Sequence, residues 1–474
     1  MTDRDARLVA AVRAGDLPEV HALLGPGRNP DAVDAHGLPV LCTAVGALDE
    51  EIARALLNAG ADPDAADADG TPVLCTAVAA FADGIVQALV EAGADPDQVL
   101  PDGTTPLERA VDGGSPATVT ALLRSRDLPD PGARLAEPVR ERLLTQARHW
   151  YETGAEQELR RRTGETGPAD IRPAEDGHCD VEEITLGGLT VRAGHGAVLT
   201  TLEEAFGEAA AVEVLVARAV RRPDVCGVDW AAARGVLAQC SEETWSRLIA
   251  MRRHPAPDHR RFVADCLQTR RYFWGLGVSA CATYDQAEGD RLLRAWAEEE
   301  TDGAVLALLL DAVQDAGLPD TEALGLRHAA HPDARVRREA PYLFAHPLTA
   351  GATSSLYVLA RDPDLQVRAI AGGLLGRGED GTDRTRGVLL DLLRDPETWV
   401  RTTAAGVLAA SGDRTPAVVQ ALVELLDEEE QELRLEGAYG LALRDDPRAE
   451  AAYERVGPLG PAYAYDRRAR RPGT

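Results

Sequence analysis

The sequence predicts an all-α chain made of two successive helical solenoids, joined by a mainly helical segment that includes a small β-hairpin. Three observations predict it. Leucine, alanine, glycine and proline return every 33 residues over the first 130 positions. An apolar residue followed by arginine returns every 31 to 33 residues after position 300. Hydrophobic residues make up 45% of the 474 positions and aromatics only 4%, which suits many small helix interfaces filled by Ala, Leu and Val better than one large core. The expected division is a first array of four repeats over 1–132, a connecting segment over 133–235, a second array over 236–450 and a tail over 451–474.

In the first array, Gly37, Gly70 and Gly103 keep the period, as do Leu8, Leu41, Leu74 and Leu107, and Ala11, Ala44, Ala77 and Ala110. Pro30, Pro63, Pro96 and Pro129 keep it too, each followed by an aspartate. Within a unit, a turn such as Asp69-Gly70-Thr71-Pro72 opens a short helix, and a second helix ends before Gly-Ala-Asp. With Gly103-Thr104-Thr105-Pro106-Leu107, Gly60-Ala61-Asp62 and Gly93-Ala94-Asp95, this segment resembles the ankyrin repeat. Pro39 and Pro72 come one residue early, and Cys42 and Cys75 fall near the family's usual histidine. One helix pair cannot bury its apolar face alone, whereas four stacked pairs can. Helix Asp5-Ala6-Arg7-Leu8 and polar Arg124-Ser125-Arg126 read as caps at the two ends. Cys42 and Cys75 read as small core residues, because stacked helices about 8–10 Å apart exceed disulfide reach.

In the second array, Val336-Arg337, Val367-Arg368, Val400-Arg401 and Leu433-Arg434 are spaced 31, 33 and 33. An acidic turn precedes most of them, as in Asp362-Pro363-Asp364 and Asp395-Pro396-Glu397, and His331-Pro332-Asp333 stands before the first. Acidic residues suit a helix N-terminus, whose free amides and dipole favour negative charge. Apolar spacing between these helices makes each unit a helical hairpin. With Glu436-Gly437-Ala438-Tyr439-Gly440-Leu441-Ala442 and Asp445-Asp446-Pro447-Arg448, this segment resembles bacterial HEAT repeats related to the bilin-lyase group. Fainter copies stand at Val305-Leu306, which lacks the arginine, and at His254 to Arg260. Arg337, Arg368, Arg401 and Arg434 read first as a structural ladder between neighbouring repeats, with an anion-binding stripe as the alternative.

In the connecting segment, Val139, Leu143, Ala147 and Trp150 have helical spacing, and residues 163–180, rich in Gly, Pro, Asp and Glu, read as a linker or exposed loop. Ile184 to Val191, centred on Gly187-Gly188, reads as two short strands. Arg467-Arg468-Ala469-Arg470-Arg471 reads as a disordered basic tail.

The chain has no lysine, which excludes the P-loop, Schiff-base enzymes and kinase-type phosphate anchoring. Its composition otherwise resembles GC-rich bacterial coding. A net charge of −28 repels phosphate backbones and anionic lipid, so nucleic acid and membrane are disfavoured as partners. That surface serves solubility, a basic partner, or both. No signal-peptide pattern or spanning apolar run is present, and seven unpaired-looking cysteines fit buried thiols in a cytoplasm. Gly376 to Gly381 matches Gly-x-Gly-x-x-Gly but follows a helix, and Gly275 to Ala280 is a similar near-match, so both read as turns. His178-Cys179-Asp180 with His195 offers metal-ligand types without diagnostic spacing, and no metal or cofactor is expected. Trp399 invites comparison with HEAT-like DNA glycosylases, which the charge opposes.

The resemblances imply a scaffold or adaptor that binds a protein. In ankyrin proteins the turn tips project, which makes Asp34, His36, Asp67, Asp69 and Asp102 the expected contacts, facing a partner with a basic patch. The alternatives are an enzyme with a site in the connecting segment or the HEAT-like groove, recognisable by converging His, Asp and Trp side chains, and an inhibitory or immunity partner of one enzyme.

Overall fold

The computed structural model describes residues 3–25, 28–124, 134–208, 210–239, 241–275, 286–376, 382–460, 463 and 466–469. Ser125-Arg126, Pro129-Asp130, Cys240, Cys281, Gly277 to Ala280, Arg377 to Gly381 and Arg470-Arg471 lie outside the described residues. The chain forms two compact units, Met1–Thr283 and Tyr284–Thr474. Residues 236–283 therefore belong to the first unit.

The first unit opens with helices α1 (Asp3–Ala14), α2 (Leu17–Leu23), α3 (Val40–Gly46), α4 (Glu50–Asn58), α5 (Val73–Ala79), α6 (Asp83–Ala92), α7 (Pro106–Gly113) and α8 (Pro116–Leu123). They make four pairs, with first helices stacked on first helices and second on second. Local chemistry sets their ends: Asp16, Asp49 and Ser115 each accept from the amide three residues on, and Thr105 with Glu108 forms a reciprocal capping box. The register glycines 37, 70 and 103 have φ of 84°, 78° and 82°, a left-handed turn that any Cβ would strain. The register leucines 8, 41, 74 and 107 are all buried, so the 33-residue period is the period of the core. Each such leucine contributes about 1.5–3 kcal/mol by leaving water.

Next come α9 (Glu137–Thr153), α10 (Ala155–Thr163), strands β1 (Asp170–Asp176), β2 (Cys179–Leu186) and β3 (Leu189–Arg192), then α11 (His195–Ala205), α12 (Val212–Ala219), α13 (Val228–Ala238), α14 (Glu242–Ala250) and α15 (Pro257–Gly275). Leu143 and Ala147 of α9 and Val198 and Leu202 of α11 join the core that holds Leu107 and Leu122. The connecting segment thus begins as a fifth helix pair, with α10 and the sheet inserted between its two helices. The sheet is an antiparallel meander in the order β1-β2-β3. The expected hairpin is present: Leu186 pairs with Leu189 around Gly187 and Gly188, at φ of 58° and 80°. The expected loop over 163–180 is not what forms, because Asp170–Asp176 pairs along its whole length with β2. This strand is mostly exposed and carries little apolar alternation, so its order comes from β2 rather than from a core.

The second unit contains α16 (Gln286–Glu299), α17 (Gly303–Asp315), α18 (Glu322–His328), α19 (Ala334–Glu339), α20 (Ala350–Leu359), α21 (Leu365–Leu375), α22 (Asp383–Leu392), α23 (Thr398–Ala410), α24 (Pro416–Glu424), α25 (Gln431–Ala442) and α26 (Ala449–Val456). The second helices α17, α19, α21, α23 and α25 pack one on the next. Asp302, Asp333 and Asp364 cap three of them through their carboxylates. The tail departs from expectation. Arg467–Ala469 makes a 3-10 turn, and the Arg468 guanidinium lies on Glu432 and Glu436 of α25, an acidic face that orders the basic segment. Among the described residues no helix is long and apolar enough to cross a membrane.

Candidate interaction surfaces

In the first unit, a two-strand finger projects between successive helix pairs, closed by Val33 with Pro39 and by Ala66 with Pro72. The Asp34 carboxylate accepts from the His36 amide at 2.7 Å and the Leu38 amide at 3.0 Å, and meets Arg13 at 2.5 Å. These amides hold Asp34 below the usual carboxylate range. Asp67 repeats the arrangement, accepting from the Asp69 and Thr71 amides at 2.9 Å each. Asp102 accepts from the Thr104 hydroxyl at 2.6 Å, the Thr104 amide at 3.0 Å and Arg109 at 2.9 Å, which brings its pKa down to about 2. Three of the five expected contact residues therefore shape the finger itself. His36 and Asp69 stand exposed at the tips. Sequence reasoning missed two exposed apolar residues at the fingers: Val33, before Asp34, is 42% exposed and Val99, before Asp102, is 71% exposed.

In the second unit, the marked arginines stitch one repeat to the next. Arg337 grips Asp362 with two bonds of 2.7 Å, and Arg368 grips Asp395 with bonds of 2.7 and 2.8 Å. Arg401 reaches Glu430 at 2.8 Å. Each also donates Nη1 back to two carbonyls of its own turn: His331 and Pro332 for Arg337, Asp362 and Pro363 for Arg368, and Asp395 and Pro396 for Arg401. Arg434 keeps the turn contact, to the Glu428 and Glu429 carbonyls at 2.7 Å each. The pairing raises Arg337 and Arg368 further and lowers Asp395. Arg260, in the first unit, makes the same turn contact to the His254 and Pro255 carbonyls.

A family model of ankyrin repeats, in three copies, matches residues 8–100, and one of HEAT repeats matches residues 353–442. The chain combines ankyrin repeats with HEAT repeats. No curated protein matches it. The first two fingers and the rungs at Arg368, Arg401 and Arg434 lie within these matched segments, and both repeat types are generally protein-interaction modules.

Beyond the matched ankyrin segment, α9 and α11 carry a polar cluster. Asp112 accepts from the Trp150 indole and from Gln146, both at 2.7 Å, and pairs with Arg162. The His195 ring stacks on Trp150 with centroids 4.5 Å apart, and its Nε2 donates to the Asp112 carbonyl at 3.1 Å. Burial takes the His195 pKa down to about 4, so the ring is neutral at pH 7. Burial pushes Asp229 the other way, to about 6, and its Oδ1 has no hydrogen-bond partner. Trp150, His195 and Asp229 line a cavity of about 70 Å³, and Asp229 also lines an open groove of about 780 Å³ with Ile171, Arg172, Asp180 and Arg222. The residues weighed as metal ligands are not brought together: His195 is buried on α11, while Asp180 gathers with Asp224 and Cys226, all exposed, their ligand atoms within 4.8 Å of one another.

The cysteines divide. Cys42 and Cys75 are buried core residues, with burial pushing the Cys42 thiol to about 11 and raising Cys75. Cys226 is exposed, contrary to the expectation of buried thiols, because it lies in the turn before α13. Trp399 is half exposed at the first turn of α23.

Proposed function

We propose that the chain is a protein-interaction scaffold whose ankyrin fingers form its principal contact surface. One observation carries this reading: the fingers are held in shape by their own aspartates while His36, Asp69, Val33 and Val99 are left to solvent. A pre-shaped surface loses little ordering entropy on binding. Acidic tips beside apolar flanks suit a partner that presents a basic patch with an apolar centre, and such binding weakens with salt. The scaffold acts without catalysis or cofactor, in the cytoplasm.

The test is recovery of partners on the immobilised chain, comparing wild type with Asp69→Ala/Val99→Ser. Loss of the partner with the variant, and with wild type at high salt, is the expected result. Equal recovery by the variant at every salt concentration removes the fingers as the contact surface.

A further inference from the structure

We propose that the groove between strands β1 and β2 and the turn before α13 binds a primary amine carried on an apolar body, and that the ammonium meets the free oxygen of Asp229. The site lies wholly within the first unit and does not depend on the ankyrin fingers, so it gives the scaffold a small-molecule ligand of its own.

Asp229 is the second residue of α13, and it is only 8% exposed. Its Oδ1 has no hydrogen-bond partner among the described residues. A buried carboxylate oxygen without a donor is costly, and folded chains leave few of them. Oδ1 faces Gly196 of α11, where an added Cβ would lie 2.6 Å from it, and both residues line the small cavity of about 70 Å³. That cavity shares Ala193, Arg222 and Asp229 with the groove of about 780 Å³, so the carboxylate stands at their junction. The smaller space has room for an ammonium group or about two waters. The larger one has the size of a small-molecule site, and the Asp180 amide, donating to the Cys226 carbonyl at 2.8 Å, fixes the turn against β2 to form its wall.

The chain's own cations are engaged elsewhere. Arg222 lies 3.0 Å from Glu182, and Arg221 donates to the Tyr151 carbonyl at 2.6 Å with its guanidinium over the Tyr151 ring. Arg218 holds Glu203 with two bonds, and Arg172 lies on Asp170. Burial holds the Asp229 carboxyl up to about 6 against the Ala197 amide and the charges of Arg222, Arg221 and Arg218, so at pH 7 it is mostly ionised and still short of a donor. The charge around it favours a cation: Asp180, Glu182, Asp224 and Asp229 line the groove against Arg172 and Arg222. Ile171, Pro173, Val181, Pro223 and Val228 make the rest of the wall largely apolar. An ammonium at the junction with a hydrocarbon body along the groove satisfies both features.

The experiment titrates the full chain with phenethylamine by saturation-transfer NMR, with 2-phenylethanol as the uncharged control. Wild type is expected to bind the amine with a Kd on the order of 1 mM and the alcohol at least about tenfold more weakly. Asp229→Asn, which keeps the shape and removes the charge, is expected to weaken the amine about tenfold and to leave the alcohol unchanged. Ile171→Arg, at an exposed part of the wall, is expected to weaken the amine several-fold with Asp229 intact. No binding of the amine by wild type, or equal binding of amine and alcohol, overturns the proposal, and Oδ1 then faces water only. Amine binding unmoved by Asp229→Asn, in a variant that melts like wild type, overturns it too. If Asp229→Asn does not fold, Ile171→Arg decides, and unchanged amine binding there overturns the proposal.

Discussion

Between successive ankyrin repeats the polar link is a carboxylate on a backbone amide: the Asp62 amide donates to Asp31 at 2.7 Å, and the Asp95 amide to Asp64 at 3.3 Å. Between HEAT repeats it is a two-pronged ion pair, Arg337 on Asp362 and Arg368 on Asp395, with side chains 14% exposed or less. An amide is always present whatever the side chains, so the ankyrin link asks only for an aspartate at one place. The ion pair asks for both partners, and losing one leaves the other charged and buried. The difference shows in the weak HEAT copy, where Leu306 replaces arginine and His331 stands where later repeats place Asp362 and Asp395. Donor and acceptor are absent together there.

The comparison breaks most visibly at Arg368. Replacing it with Ala strands Asp395 and is expected to cost the second unit about 3 kcal/mol, read by chemical denaturation. A cost near that of a surface change would reduce the ladder to decoration. The next effect lies in the first unit, at His195. Its folded pKa of about 4 lies below the ordinary 6.5, so its contribution is complete above pH 6.5 and is lost as pH falls towards 4. Between pH 7 and 5 wild type should lose about 2 kcal/mol more than His195→Gln. Asp229, with its pKa raised, works in the opposite sense, which makes the difference between the two proteins the informative quantity. Parallel pH profiles would show that His195 does not carry the dependence.

Smaller effects sharpen the ankyrin side. Asp67→Ala removes the acceptor of two finger amides and should cost about 1 kcal/mol of stability by thermal melting. Asp69→Ala, at an exposed tip, should change stability by less than about 0.5 kcal/mol while weakening partner recovery. If Asp67→Ala and Asp69→Ala reduce recovery equally with unchanged melting, the division into shaping and contacting residues is wrong.

Both repeat registers were legible in the sequence because each marks something periodic: buried leucines and left-handed glycines in one array, turn and ladder residues in the other. The arginines could be read as a ladder, and their acceptors stood in the same turns, but spacing alone does not say which carboxylate meets which guanidinium. The polar cluster was legible only as residue types, His, Asp and Trp, without their positions. Asp112, Trp150 and His195 belong to three helices, and only the fifth helix pair brings them together. Strand β1 escaped because Pro173 and four acidic or basic residues break the alternation by which strands are recognised, while the glycine pair of the next hairpin announced itself. The tail misled through its charge, because a basic run reads as solvated unless an acidic face is known to lie beneath it.

Arg434 is the last rung, holding its own turn while its Nε has no hydrogen-bond partner. Each rung before it takes its acceptor from the following repeat and so faces forward, which gives the array a grammar by which it can lengthen. A whole repeat copied between Arg401 and Arg434 would bring its own arginine, turn and acceptor. Gene duplication, or an engineer, can thus insert units of about 33 residues without designing a new interface.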